Sequence, residues 1–193
     1  CKCLNIKGRE YDVGIFYTSA AVADYLKAVE QTIFEICSLK PVLPGDILVF
    51  LTSSLEIEAV AKSLKEQKMD ERFDLYITQL YSTLPSNQQL KSIEPMVSRK
   101  LRRVVLSTNI AETSLTIPGV QFVIDCGFVR RRYFSPTKNI EALVTVPISA
   151  CEALQRTGRA GRERPGGRCY RLWRERSENL LPFKPTEIQR LDL

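Results

Sequence analysis

The run DILVFLT, residues 46–52, is a nearly unbroken apolar stretch of strand length. A strand written this way is buried on both faces, which requires a sheet covered by helices above and below. The neighbouring segments agree with that demand. Residues 12–18 form a short β-rich run. Over 22–37, Val22, Leu26, Val29, Ile33 and Ile36 recur at helical spacing as one apolar stripe. Ser53 with Glu56 reads as a capping box opening a second helix, whose stripe is Ile57, Val60, Ala61 and Leu64. The strand LYITQLY, the turn STLP and another capping-box pair, Ser86 with Gln89, come next. Two more strands, RRVVLST (102–108) and VQFVID (120–125), complete a β-α-β-α-β rhythm. The fold class is therefore α/β, a mostly parallel sheet with helices on both faces.

Such sheets take ligands beyond the carboxyl ends of their strands. Those ends read LTSS, YSTLP and STNIAETS, and after one more helix comes an arginine-rich segment. All are rich in hydroxyls, amides or charge, so the polar chemistry is expected on one edge of the sheet.

Segment 127–147 departs from the rhythm. FVRRRYF and IEALVTVP flank the five-residue turn SPTKN, which makes an antiparallel β-hairpin insertion carrying Arg130, Arg131 and Arg132. On this pattern alone it is either a solubilised cap on a sheet edge or an appendage that grips a polyanion.

Charge sharpens the question of partners. The net charge is +6, and eight arginines fall between positions 156 and 176. A one-sided basic surface fits nucleic acid or nucleotide, although charge alone is also compatible with a solvated basic face. With 193 residues the chain is one domain or slightly more. No run approaches the roughly 20 apolar residues that span a bilayer, so no membrane partner is expected. Six cysteines occur without a C-x-x-C pair and without any histidine. That excludes imidazole chemistry from this segment and argues against zinc, leaving reduced thiols of an intracellular, reducing compartment. The first residue is Cys1, and the expectation is an excerpt of a longer protein.

The segment QRTGRAGR, 155–162, sets two glycines among three arginines with no acid before Glu163. Ser149 with Glu152 is a third capping box, so a helix is expected to run into it. On that helix Gln155, Arg159 and Arg162 would share a ridge within about 60° of one another. Gly158 and Gly161 would leave room for a ligand or a neighbouring domain. Guanidinium forks match phosphate oxygens, and an amide can orient a nucleophilic water.

These residues carry a resemblance. QRTGRAGR resembles the arginine-finger motif of superfamily-2 helicases. STNIAETSLTIPGVQFVIDCGF resembles the preceding motif of the DEAH-box RNA helicases, and ILVFLTS, QLYSTLP and GGRCYRLW follow the same family order. The chain thus looks like the second, C-terminal RecA-like domain of a DEAH-box ATP-dependent RNA helicase over nearly its whole length. That resemblance implies that Gln155 positions the attacking water while Arg159 and Arg162 contact the γ-phosphate. Ser114 and Thr116 would face the nucleotide cleft. Thr52, Ser53, Ser82, Thr83, Thr108 and Asn109 would line the RNA backbone, joined by Arg130, Arg131 and Arg132 on a strand-separating hairpin. Where the family often has an aromatic residue stacking on adenine, this chain has Ile93. Where it often has an acid reaching the ribose, this chain has Pro118.

Neither a G-x-x-x-x-G-K-[ST] loop nor a D-E-A-H occurs. The resemblance therefore implies ATP with Mg2+, the metal held mainly by a preceding RecA-like domain. Residues 1–175 would be the motor domain, with the hairpin at about 127–147, and 176–193 would begin a linker to a following helical or winged-helix domain. RNA, the preceding domain and activator proteins or a ribonucleoprotein complex are the implied partners. A nuclear setting in RNA processing such as mRNA splicing is implied, with nucleolar or cytoplasmic settings also within the family. A non-enzymatic RNA-binding module derived from a helicase is the competing reading, and the triplet Gln155, Arg159 and Arg162 separates the two.

Overall fold

Thirteen elements follow one another in the computed structural model, which describes residues 11–41, 43–67, 74–96, 101–113, 115–135, 139–175 and 180–184. They are β1 (Val13–Tyr17), α1 (Tyr25–Ser38), β2 (Asp46–Phe50), α2 (Ser54–Glu66), β3 (Asp74–Leu80) and α3 (Ser86–Ile93). Then come β4 (Leu101–Ser107), α4 (Ile110–Thr113), β5 (Val120–Asp125), β6 (Phe128–Ser135), β7 (Ile140–Pro147), α5 (Ala150–Gly158) and β8 (Gly167–Arg171).

Six strands form one sheet in the order β1-β8-β5-β2-β4-β3, and every neighbouring pair in it is parallel. β2 lies inside the sheet between β5 and β4, as its unbroken apolar run requires. Its side chains alternate between two cores, the period-two pattern of a strand. Ile47 and Val49 meet α1 and α2 through Val29, Ile33, Ile57 and Val60. Leu48 and Phe50 pack on the opposite face with Ala111, Ile117 and Ala160. Helices therefore cover both faces.

Local caps explain most helix starts. Asp24 accepts from the amides of Leu26 and Lys27, so α1 begins at Tyr25 rather than at the expected Val22. Ser53 caps α2 by accepting from the Glu56 amide. The expected box at Ser86 does not form. Pro85 is the cap residue there, and its carbonyl accepts from Gln88 and Gln89, so Ser86 is already inside α3 and its hydroxyl cannot cap it. The Gln89 side chain turns back to donate to the Leu84 carbonyl instead.

β6 and β7 pair antiparallel as a separate two-stranded sheet. The hairpin is rooted in a small cluster of Val129, Ile148 and Ala153 with Trp173 beside it. Away from that root β7 is almost wholly solvent-exposed. The middle of its turn, 136–138, lies outside the described residues.

Candidate functional site

α5 opens with a complete capping box. Ser149 Oγ accepts from the Glu152 amide, and the Glu152 carboxylate accepts from the Ser149 amide at 2.9 Å. The same carboxylate takes a charge-assisted bond from Arg131, which is buried. Burial pushes the Glu152 pKa up, but the bonds from Arg131 and Ser149 outweigh it and hold the carboxyl below its usual range.

α5 ends at Gly158, with Arg159 as its C-cap. Beyond it the amides of Arg159, Ala160 and Gly161 bond to carbonyls three residues back, tightening the chain into 3₁₀-type turns. The single helical ridge expected from sequence is therefore broken. Gln155 stands exposed on the helix, Arg159 sits at its end, and Arg162 lies exposed in the turn that follows.

Gly161 is bare for another reason than a ligand. A Cβ there would lie 2.3 Å from the Tyr11 carbonyl oxygen and 2.7 Å from Val13 Cγ2. The glycine lets the entry to β1 cross closely, and Tyr11 donates to its carbonyl at 2.9 Å.

The three arginines also have three different fates. Arg156 is wholly buried. It donates to Asp125 at 2.7 Å and to Glu112 at 3.2 Å, and its guanidinium lies 4.8 Å from the centre of the Phe50 ring. Arg159 is half-buried and donates to two main-chain carbonyls, those of Glu112 and of Leu115, the latter at 2.8 Å. Partial burial first, then the like charge of Arg162, lowers the Arg159 pKa, with Glu112 opposing. Arg162 makes no hydrogen bond or ion pair among the described residues.

The polar chemistry does not gather on one edge. Residues 163–165 lie against the amino ends of β5 and β8: Glu163 accepts from the Gly119 amide, Arg164 donates to Gln121, and Gln121 donates to the Pro165 carbonyl. Thr116 is exposed in the segment leading to the same end. Ile93 is half-buried against the core at the end of α3. Ser114 lies outside the described residues. The hydroxyl and amide candidates occupy the opposite, carboxyl edge. There Ser82, Thr83 and Asn109 are exposed, and Thr108 is half-buried with its amide on the Leu80 carbonyl. α4 starts at the carboxyl edge, just after β4, whereas residues 115–119 lead into the amino end of β5.

Two of the expected strand contacts face inward. Thr52 is buried, and both its amide and its hydroxyl donate to Glu56, at 2.9 and 2.7 Å. Ser53 is half-buried as the α2 cap. On the hairpin, the alternation of a strand exposes Arg130 and Arg132 and turns Arg131 in towards Glu152.

Residues 25–164 match the family described as the helicase conserved C-terminal domain. The whole chain is 42% identical over 199 residues to the probable ATP-dependent RNA helicase DHX35 of Homo sapiens, covering 28% of that protein. It is 45% identical over 198 residues to the pre-mRNA-splicing factor ATP-dependent RNA helicase prp22 of Schizosaccharomyces pombe, covering 17% of it. The crystal structure of the Escherichia coli DEAH/RHA helicase HrpB superposes with a TM-score of 0.84 at 33% identity, over 96% of this chain and 23% of that one. The chain belongs to the helicase C-terminal domain family, in its DEAH-box branch. It spans between 17% and 28% of the length of these two curated relatives.

In this RecA-like helicase domain the carboxylates that hold the arginine segment were the residues sequence reasoning missed. Asp125 closes the apolar run VQFVID and Glu112 sits in IAETS. An acid ending a strand that is buried on both faces is a usable signal, because a buried carboxylate needs a cation. That signal was present in the sequence, but it did not say which arginine supplies the cation.

Proposed function

We propose that this domain is the second motor domain of an ATP-dependent RNA helicase, completing the ATP site with Gln155, Arg159 and Arg162 and forming half of an RNA channel. The observation that carries the reading is the pair Arg159 and Arg162. Two like charges sit close enough to affect one another, and neither guanidinium has a carboxylate on it, while the neighbouring Arg156 has two. A phosphate arriving there relieves the repulsion and receives a fork of donors. Gln155, exposed one turn earlier, orients the attacking water.

The described residues contain no group of three or more carboxylate, cysteine or histidine side chains placed to hold a metal. In this reading the Mg2+ that accompanies ATP would be held mainly by the preceding RecA-like domain. With a single wall of the phosphate site the isolated domain is inactive as an ATPase, because phosphoryl transfer needs charge around the γ-phosphate from several directions. RNA lies along Ser82, Thr83, Thr108 and Asn109, groups suited to phosphate and sugar and indifferent to base identity. The similarity to prp22, named a pre-mRNA-splicing factor, favours a nuclear, RNA-processing setting.

The deciding experiment is Arg162→Ala in the full-length protein, with RNA-stimulated ATP turnover and RNA affinity measured side by side. Turnover falls by about 10³-fold or more while RNA affinity stays within a few-fold. Retention of more than about a tenth of wild-type turnover overturns the assignment, since a finger guanidinium contributes far more than that factor.

A further inference from the structure

Arg103 makes a set of contacts that the proposed ATP site does not use. It is a completely buried arginine on β4, level with the start of β2. Its Nε donates to Asp46 at 2.9 Å, and its Nη2 lies 2.7 Å from the same carboxylate. Nη1 donates to the Ser92 carbonyl at 3.2 Å and to the Glu94 carbonyl at 2.5 Å. Nη2 also donates to the Pro118 carbonyl.

One guanidinium thus holds two segments that are not neighbours in sequence, the end of α3 around Ile93 and the loop 116–119. Both are tied further into the amino edge of the sheet. The Asp46 amide donates to the Gly119 carbonyl at 2.9 Å, and the Gly119 amide donates to Glu163, beside Arg162. A Cβ on Gly119 would fall 2.9 Å from the Asp46 carboxylate, so the loop lies hard against that pair. The chain of contacts runs from Ser92 and Glu94 through Arg103 and Asp46 to Pro118, Gly119 and Glu163.

We infer that Arg103 is a positioning residue for nucleotide binding, fixing the Ile93 end of α3 and the 116–119 loop as one preformed rim beside Arg159 and Arg162. This rests on the reading that the nucleotide binds at this edge. Fixing the rim in advance removes an ordering cost from ligand binding. Such a task suits arginine, because a buried lysine has no planar fork with which to hold a carboxylate and three carbonyls together. Arg103 does not reach the carboxyl edge where Ser82, Thr83 and Asn109 lie, so its effect is confined to one ligand.

The test uses the full-length helicase carrying Arg103→Lys or Asp46→Asn, with affinities for ADP and for a single-stranded RNA measured separately by titration. For Arg103→Lys the ADP Kd rises about tenfold and the KM for ATP rises with it, while kcat and the RNA Kd stay within about twofold. Asp46→Asn keeps the shape of the partner and gives a smaller rise of the same kind. If Arg103→Lys fails to fold, Asp46→Asn alone carries the comparison. Unchanged ADP affinity overturns the inference, and so does an equal loss of ADP and RNA affinity, which marks general loosening of the core. ADP lacks the γ-phosphate, so Arg159 and Arg162 stay out of the comparison. Failure of their assignment appears in the turnover of Arg162→Ala, and failure of this inference in the ADP affinity of Arg103→Lys.

Discussion

The guanidinium of Arg156 and the carboxylate of Asp125 meet 2.7 Å apart with neither side chain reaching solvent. Glu112 completes a triad that joins α5, β5 and α4. Burial disfavours the charge on Arg156, but Asp125 foremost among its neighbours, with Glu112 behind it, more than restores it.

Removing that cation strands two buried carboxylates. Arg156→Met is expected to destabilise the domain by about 3–5 kcal/mol, the usual cost of breaking a buried pair from one side. Urea unfolding at neutral pH measures it. A loss under about 1 kcal/mol would mean that Asp125 and Glu112 are satisfied in some other way.

Arg159 and Arg162 separate by stability rather than by activity. Both alanine variants are expected to lose most ATP turnover in the full-length protein. Arg162 is exposed and Arg162→Ala leaves the melting temperature unchanged. Arg159→Ala also frees the Glu112 and Leu115 carbonyls and costs about 1 kcal/mol. Equal melting curves for the two variants would contradict the contacts described for Arg159.

The hairpin arginines divide in the same way. Arg130→Ser with Arg132→Ser is expected to lower duplex unwinding well below wild type while RNA-stimulated ATP hydrolysis largely survives, because phosphate grip is lost without touching the ATP site. Unwinding at the wild-type rate would leave the hairpin as an edge cap. Arg131→Ser acts differently: it removes the partner of Glu152 at the first turn of α5 and lowers stability.

Glu152 gives the pH signature of that last contact. Its carboxyl pKa is depressed in the folded state, so it contributes stability that is complete above the unfolded carboxylate value of about 4.3 and is lost as pH falls through the lower folded value. Unfolding free energies from pH 6 down to pH 3 should therefore fall more steeply in wild type than in Arg131→Gln. Parallel curves would show that Arg131 does not set the Glu152 pKa.

The sheet, its helices and the hairpin were legible in the sequence because each depends on local periodicity: apolar runs of strand length, stripes at helical spacing, and two β-rich arms around a short turn. The order of strands was not, since pairing between β1 and β8 joins the two ends of the described chain. Capping boxes were legible only in part. Ser149 with Glu152 forms one, whereas at Ser53 the Glu56 side chain is drawn away to Thr52 and Tyr25. The arginine segment was expected to form a single helical ridge, and α5 instead ends at Gly158. The sequence cannot display that Arg156 meets acids 31 and 44 positions away, or that Gly161 is crossed by the chain entering β1. The resemblance named candidate residues, and it took packing to divide them between two edges.

The double use of Glu152, as capping residue and as partner of Arg131, has a mechanical consequence. The hairpin is bolted to the first turn of α5, and Arg159 caps the last. The helix between is nine residues, a rod about 13 Å long. The hairpin and the arginine turn are thus fastened to opposite ends of one short rod, which is itself pinned to the sheet through Arg156 and Asp125.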